Sequence, residues 1–329
     1  MYKLDEAKIL EAEKKAAALR AAAEKAVDEI YDRGFKNVFF VGIGGTITVA
    51  MAIQSFVETN STLPFYTSNA GELIHCGNKN IGPETVVFVE SASGDTPEMV
   101  AAVKYCKEKG ARVYGIIEKA DSPLARDVDV LMGTDNPGYY GSHYFFGCMM
   151  KKWGDFDKYD ALADAMDKLP EKIVEAEKAM DAKAVEYAEK YADAPINYLI
   201  GAGNTWGAAY CLAMCYMEEM QWMVTKSIHA AEFFHGTLEV IEKGVSVLLF
   251  KGEDGSRAEV QRAEDFCRRV TNDVTVFDAA DYDLCDDESL RGFLSPFLFH
   301  SVMHRIFMNL ENVNKHPGDI RRYYRRLTY

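Results

Sequence analysis

The sequence predicts an α/β fold in two parts, each a doubly wound parallel sheet flanked by helices. Three observations carry that expectation. Short β-branched apolar runs alternate with helical stretches over short connections, which is the pattern of a parallel sheet. Glycine- or serine-rich loops follow the runs Asn37–Val41 and Val86–Val89, where ligands of such sheets bind. A second round of the pattern begins at Ile196, with Gly201-Ala202-Gly203-Asn204-Thr205 echoing Gly42-Ile43-Gly44-Gly45-Thr46.

The 329 residues suit two domains, and a hydrophobic content of 48% is enough for two full cores. Lys plus Arg minus Asp plus Glu is 37 − 51 = −14, which disfavours nucleic acid or an anionic membrane surface as partner. No apolar run reaches the ~18 residues of a membrane span, and no basic-then-apolar leader opens the chain. The cytosol is the expected compartment. The seven cysteines form no paired framework and read as reduced thiols. Cys211 and Cys215 lack a second ligand pair at metal spacing. His300 and His304 have zincin-like spacing, but Ser301 stands where a Glu base belongs, so helix packing explains them better.

In chain order, residues 1–33 form an N-terminal segment. Its apolar stripe of Ile9, Leu10, Ala16, Leu19, Ala23, Val27 and Ile30 predicts one long amphipathic helix stopped at Gly34. Residues 34–154 form the first domain. Its opening turn, Gly42-Ile43-Gly44-Gly45-Thr46, lacks the third glycine of a dinucleotide motif because Ile47 occupies that place, which argues against a nicotinamide cofactor. Strands follow at Phe65–Thr67, Val86–Val89, Ala111–Ile117 and Val128–Met132. Gly133 to Ser142 reads as a turn-rich loop offering Tyr139, Tyr140 or Ser142 as pocket lining, or as a plain solvent loop. Residues 155–193 are linker helices, interrupted at Pro170. Residues 194–315 form the second domain, and residues 316–329 a basic tail.

The stretch Val86 to Val100 holds the densest chemistry. A buried strand breaks into Ser91-Ala92-Ser93-Gly94-Asp95-Thr96-Pro97-Glu98, with Pro97 and Glu98 marking a helix start. Backbone N–H groups, the positive end of a helix dipole and several hydroxyls all favour an oxyanion such as phosphate. On spacing alone, an ordinary capped turn is an equal alternative.

The pattern Ser-x-Ser-Gly-x-Thr-x-Glu resembles the phosphosugar loop of the sugar isomerase (SIS) family, and the whole chain is similar to its tandem members. That resemblance implies that Ser91, Ser93 and Thr96 hold a sugar phosphate, and that Gly45 and Thr46 form the other wall of the sugar site. In the second half the serine motif of the equivalent loop, Lys251-Gly252-Glu253-Asp254-Gly255-Ser256-Arg257, has decayed, and Glu253 and Asp254 would repel phosphate. Only the first copy therefore reads as phosphate-binding.

The segment Glu218–Glu239 resembles the family's catalytic stretch, with Ala230, Glu232, His235, Gly236 and Thr237 filling its pattern. By that resemblance Glu219 is the general base and His235 the ring-opening acid/base, chemistry that a carboxylate and an imidazole can supply. The register is open at Glu218, and Lys226 is a weaker contact for a substrate carboxylate. The resemblance also implies a C-terminal tail folded over the active site, with His316, Arg322 and Arg326 as candidate substrate contacts. It implies a homodimer or higher assembly with the site at the subunit interface.

The sequence lacks the synthases' Ser-Thr-Lys run and opens without their cysteine nucleophile. The resemblance therefore implies a deglycase, of the fructosamine type, that hydrolyses a 6-phosphorylated Amadori compound such as fructoselysine 6-phosphate to glucose 6-phosphate and a free amino acid. No cofactor or metal is required. A phosphosugar isomerase, an aminosugar-phosphate deaminase or a non-catalytic sugar-phosphate sensor are the alternatives.

Overall fold

Two parallel sheets organise the chain. The computed structural model describes residues 1–134 and 138–328. The chain forms two compact units: Ala7–Pro170, and Met1–Glu6 together with Glu171–Tyr329.

The first unit holds β1 (Asn37–Gly42), β2 (Phe65–Asn69), β3 (Thr85–Ser91), β4 (Arg112–Ile117) and β5 (Val130–Gly133), all parallel in the order β2-β1-β3-β4-β5. Every residue of β1 and β3 is buried, as their unbroken apolar runs require of strands covered on both faces. Alternate side chains serve opposite faces. Phe39, Val41, Val87 and Val89 pack with residues of α4 (Ala70–Cys76), α5 (Pro97–Glu108) and α6 (Pro123–Asp127). Phe40 and Phe88 point to the other face. There Phe88 meets Phe145 at 4.8 Å and Phe40 stacks on Phe146 at 5.9 Å, both from α7 (Gly138–Trp153). The helix α3 (Gly45–Asn60) joins β1 to β2. From β1 the chain moves outward to β2 and then returns across to β3, so the connections leaving β1 and β3 diverge, opening a crevice at their carboxyl ends.

The N-terminal segment is not the single helix that its stripe predicts. It is α1 (Glu6–Ala17) and α2 (Arg20–Arg33), broken at Ala18-Leu19. The cause is tertiary. Leu19 is buried beside two glycines: a Cβ on Gly133 would stand 2.2 Å from its Cδ2, and one on Gly141 3.4 Å from its Cδ1. Pro170 likewise fails to interrupt the linker. α8 runs unbroken from Tyr159 to Tyr191 with the proline inside. An interior proline costs about 3 kcal/mol. Burying Leu162, Met166, Leu169 and Ile173 along this helix offsets that, at about 1.5–3 kcal/mol each.

Among the described residues the second unit repeats the strand order without a fifth strand. β6 (Asn197–Gly201), β7 (Thr225–His229), β8 (Ser246–Lys251) and β9 (Val274–Asp278) lie parallel as β7-β6-β8-β9. Tyr198, Ile200, Val247 and Leu249 pack with Phe233 of α11 (Ala230–Phe233) and with Val260, Ala263 and Cys267 of α12 (Arg257–Val270). On the opposite face Phe250 meets Phe299 of α13 (Glu288–Asn314) at 5.0 Å. The first residues are tied into this unit by Arg305 of α13, which donates to the Tyr2 carbonyl at 2.9 Å, and by the Lys3–Glu311 ion pair.

Candidate active site

The β3–α5 loop is shaped by one residue. Gly94 has φ +62°, and a Cβ there would stand 2.0 Å from Ser122 Oγ and 2.9 Å from Ile117 Cγ2. Only glycine fits this left-handed, crowded position. The Gly94 N–H donates to Ser91 Oγ at 2.9 Å, which leaves the Ser91 hydroxyl hydrogen able to donate. Ser93 Oγ lies 3.5 Å from Thr96 Oγ1, and the Asp95 N–H points at Ser93 Oγ. Thr96 is the N-cap of α5, with Pro97 opening the helix. The three hydroxyls predicted to hold phosphate thus surround one helix N-terminus.

Beside it, the β1–α3 turn is equally tight. A Cβ on Gly42 would meet Ile47 N at 2.8 Å, and Gly44 has φ +60°. Thr46 turns its hydroxyl into the turn, accepting from the Ile43 N–H at 3.1 Å and donating to the Ile43 carbonyl at 3.0 Å. Gly45 opens α3. Because β1 and β3 are neighbours in the sheet, Gly45 and Thr46 flank the same crevice as Ser91, Ser93 and Thr96.

Just before Ser91 stands Glu90, 1% exposed. Burial pushes its carboxyl well above the usual carboxylate range, and the Ser142 hydroxyl pulls it back in part. Its Oε1 has no hydrogen-bond partner among the described residues.

The turn-rich loop expected up to Ser142 gives way to helix at Gly138. Asp135-Asn136-Pro137 lies outside the described residues. Tyr139, Tyr140 and Ser142 are buried in the first turns of α7. Tyr140 donates to Glu13 Oε2 at 2.8 Å, and Ser142 to the Tyr139 carbonyl at 3.1 Å. Tyr140 and Ser142 thus have partners within the first unit, on a helix and not on the expected loop. The aromatic run drives this, because Phe145 and Phe146 must reach the sheet.

Glu219 and His235 both belong to the second unit. Glu219 ends the helix that starts as α9 (Trp206–Cys211), widens into a π-helical stretch (Leu212–Glu218) and closes as α10 (Glu219–Gln221). Such widened turns accumulate at functional sites. The next residue, Trp222, is left-handed at φ 58°, ψ 28°. Glu218 and Glu219 differ in their partners. Glu218 is exposed and accepts from Thr225 Oγ1 at 2.5 Å, whereas Glu219 is three-quarters buried and pairs with Arg321. His235 is exposed on the turn after α11, beside Gly236 at φ +156°. No hydrogen bond joins Glu219 to His235 among the described residues. Lys226 is exposed on β7.

The tail does reach the Glu219 segment. His316 packs its ring 4.2 Å from that of Trp222, Arg322 lies 4.0 Å over the Trp222 ring, and Gln221 donates to the His316 carbonyl at 2.9 Å. Arg326 is exposed. Arg321 touches Glu219 and is not among the tail contacts expected from the sequence. The only signal for it was a run of four tail arginines, and charge alone does not say which of them turns inward.

In the second unit the loop after β8 differs in kind. Asp254 accepts from the Asn204 N–H at 2.9 Å, the Ser256 N–H at 3.0 Å and the Ser256 hydroxyl at 2.5 Å. Lys251 at the strand end pairs with Glu264 and Asp278, and Arg257 grips Asp278 through both nitrogens. This end of the sheet is filled by its own ions. Among the described residues no group of three His, Cys, Asp or Glu is placed to hold a metal ion, and no helix is long and apolar enough to cross a membrane.

Comparison with known proteins shows what the chain as a whole resembles. Residues 31–137 match the family model described as SIS domain. The chain is 27% identical over 313 residues to the fructosamine deglycase of Bacillus subtilis (strain 168), covering 92% of this chain and 95% of that one. It is 24% identical over 304 residues to the fructoselysine 6-phosphate deglycase of Escherichia coli (strain K12), covering 91% and 88%. A solved candidate phosphosugar isomerase from Bacillus subtilis matches with a TM-score of 0.89 at 28% identity, covering 95% of this chain and 99% of that one.

Proposed function

We propose, proceeding from a chain that carries a SIS domain over residues 31–137, that this protein is an enzyme that hydrolyses a 6-phosphorylated fructosamine to glucose 6-phosphate and a free amine. The observation that carries the reading is the likeness to deglycases over about nine-tenths of both chains. The loop geometry supports it, because Ser91, Ser93 and Thr96 gather hydroxyls at the start of α5, where a dianionic phosphate gains most.

The chemistry divides among this chain's own residues. His235 passes a proton to the ring oxygen and opens the sugar. Glu219 then removes a proton from C1, next to the C2 carbonyl, and an enaminol forms. Return of that proton to C2 leaves an imine at C1. Water adds there, the C–N bond breaks, and the amine leaves with the proton it needs. A carboxylate and an imidazole suffice for every transfer. The exposure of His235 on its turn supports a homodimer or higher assembly in which this histidine serves the neighbouring subunit's site.

A coupled assay tests the reading. Fructoselysine 6-phosphate is supplied, and glucose 6-phosphate is read through its dehydrogenase. Turnover should fall at least about hundredfold in both Glu219→Gln and His235→Ala. Wild-type protein that is folded yet silent on every phosphorylated fructosamine would reject the function. Interconversion of aldose and ketose phosphates without amine release would favour an isomerase, the activity for which the Bacillus subtilis structure is a candidate.

A further inference from the structure

The C-terminal tail grips three positions at the end of the helix that carries Glu219: Glu219 itself, Gln221 and Trp222. Arg321 places Nε and Nη2 on the same oxygen of Glu219, Oε1, each at 2.8 Å. Gln221 receives Asn314 Nδ2 at 3.0 Å and donates to the His316 carbonyl at 2.9 Å. Trp222, in its left-handed conformation, carries the His316 ring and the Arg322 guanidinium. Arg321 is itself steered, its Nη1 donating to the carbonyls of Gly318 and Ile320.

We infer that Arg321 is the positioning residue for Glu219. The inference rests on the reading of Glu219 as the base given above. A glutamate at a helix end can turn about its terminal bonds. Two N–H groups converging on Oε1 stop that rotation and leave Oε2 as the acceptor, on a side chain 25% exposed. A base works only within hydrogen-bond reach of its proton, and a displacement of about 1 Å costs about hundredfold in rate. The tail therefore supplies the orientation that the helix end does not. The left-handed turn at Trp222, unfavourable for a residue with a Cβ, is held by the same tail contacts.

Kinetics of Arg321→Ala and Arg321→Lys, with and without added guanidinium, test this. Arg321→Ala should lower kcat by about ten- to hundredfold while KM for the phosphorylated fructosamine stays within threefold. Guanidinium should restore kcat at least about fivefold in Arg321→Ala and do nothing for Glu219→Gln. Arg321→Lys, with a single donor point, should fall between. A kcat that holds or rises in Arg321→Ala overturns the inference, as does a loss that appears in KM or ignores guanidinium. An inactive wild type is a separate failure, seen before any substitution is made, and overturns the functional reading together with this one.

Discussion

Gly94→Ala is the substitution whose cost the structure specifies best. Two terms contribute. The left-handed backbone at φ +62° disfavours any Cβ by about 1–2 kcal/mol. The new carbon would also stand 2.0 Å from Ser122 Oγ and 2.5 Å from Ser122 Cβ, and forced overpacking costs about 1–3 kcal/mol. The sum is about 2–5 kcal/mol. Ser122→Gly removes both clashing atoms. Ser122 caps α6 by accepting from the Ala125 N–H at 3.3 Å, and a change from serine to glycine at such a cap costs only about a few tenths of a kcal/mol. The double variant should therefore recover about 1–2 kcal/mol relative to the sum of the singles. Ile117 Cγ2 at 2.9 Å prevents full recovery. Trp153 is the only tryptophan in residues 7–170. Its fluorescence in a Trp206→Phe, Trp222→Phe background isolates the first unit during urea unfolding. A Gly94→Ala variant within about 0.5 kcal/mol of its parent, the range of ordinary surface changes, or strict additivity with Ser122→Gly, would refute the steric reasoning.

Three further outcomes follow from contacts described here or in the same units. His143 is 1% exposed, and burial lowers its pKa to about 4, the Tyr139 carbonyl at 2.7 Å opposing the shift in part. The unfolded chain then binds the extra proton first, so stability is full above pH 6.5 and falls by up to about 3 kcal/mol as pH drops toward 4. His143→Phe should remove that slope from denaturant titrations run across this window. Arg305 and Asp181 form a buried pair to which Asn309 also donates, at 3.1 Å. Asp181→Ala strands the guanidinium and should destabilise the second unit by about 3–5 kcal/mol in thermal or urea unfolding. Ser93→Ala and Thr96→Val each remove a hydroxyl from the proposed phosphate site. Each should raise KM by about tenfold or more while leaving stability close to wild type, since bonds to charged groups contribute about 1.5–3 kcal/mol. An unchanged KM in both would move the phosphate elsewhere.

What the sequence disclosed and what it withheld have separate physical origins. The strands β1, β3, β6 and β8 were legible because a parallel strand covered on both faces must be apolar throughout, which a short window reveals. The loop glycines were legible because only one residue type tolerates their geometry. The break at Ala18-Leu19 was not legible, since its cause is space left by Gly133 and Gly141 more than a hundred residues away. The helix that takes over from the expected loop at Gly138 depends on phenylalanines reaching the sheet, a tertiary demand that outweighs local turn propensity. Pro170 lies inside a continuous helix for the same reason. The Arg321–Glu219 contact spans 102 positions, and no local pattern distinguishes that arginine from its neighbours in the tail.

Asp254 has a consequence for how the two units answer their surroundings. An empty anion-binding loop is an unfinished structure, and its stability rises with the concentration of whatever completes it. In the second unit completion is intramolecular. The carboxylate that saturates the amide of Asn204 and both donors of Ser256 belongs to the chain and is present at a fixed, very high local concentration. That loop thus has its donors satisfied from within the chain. Glu219 and His235 lie in this self-sufficient unit, whereas the serine loop lies in the other. Under the proposed function, phosphate concentration therefore acts on the loop of the first unit and not on the Asp254 loop.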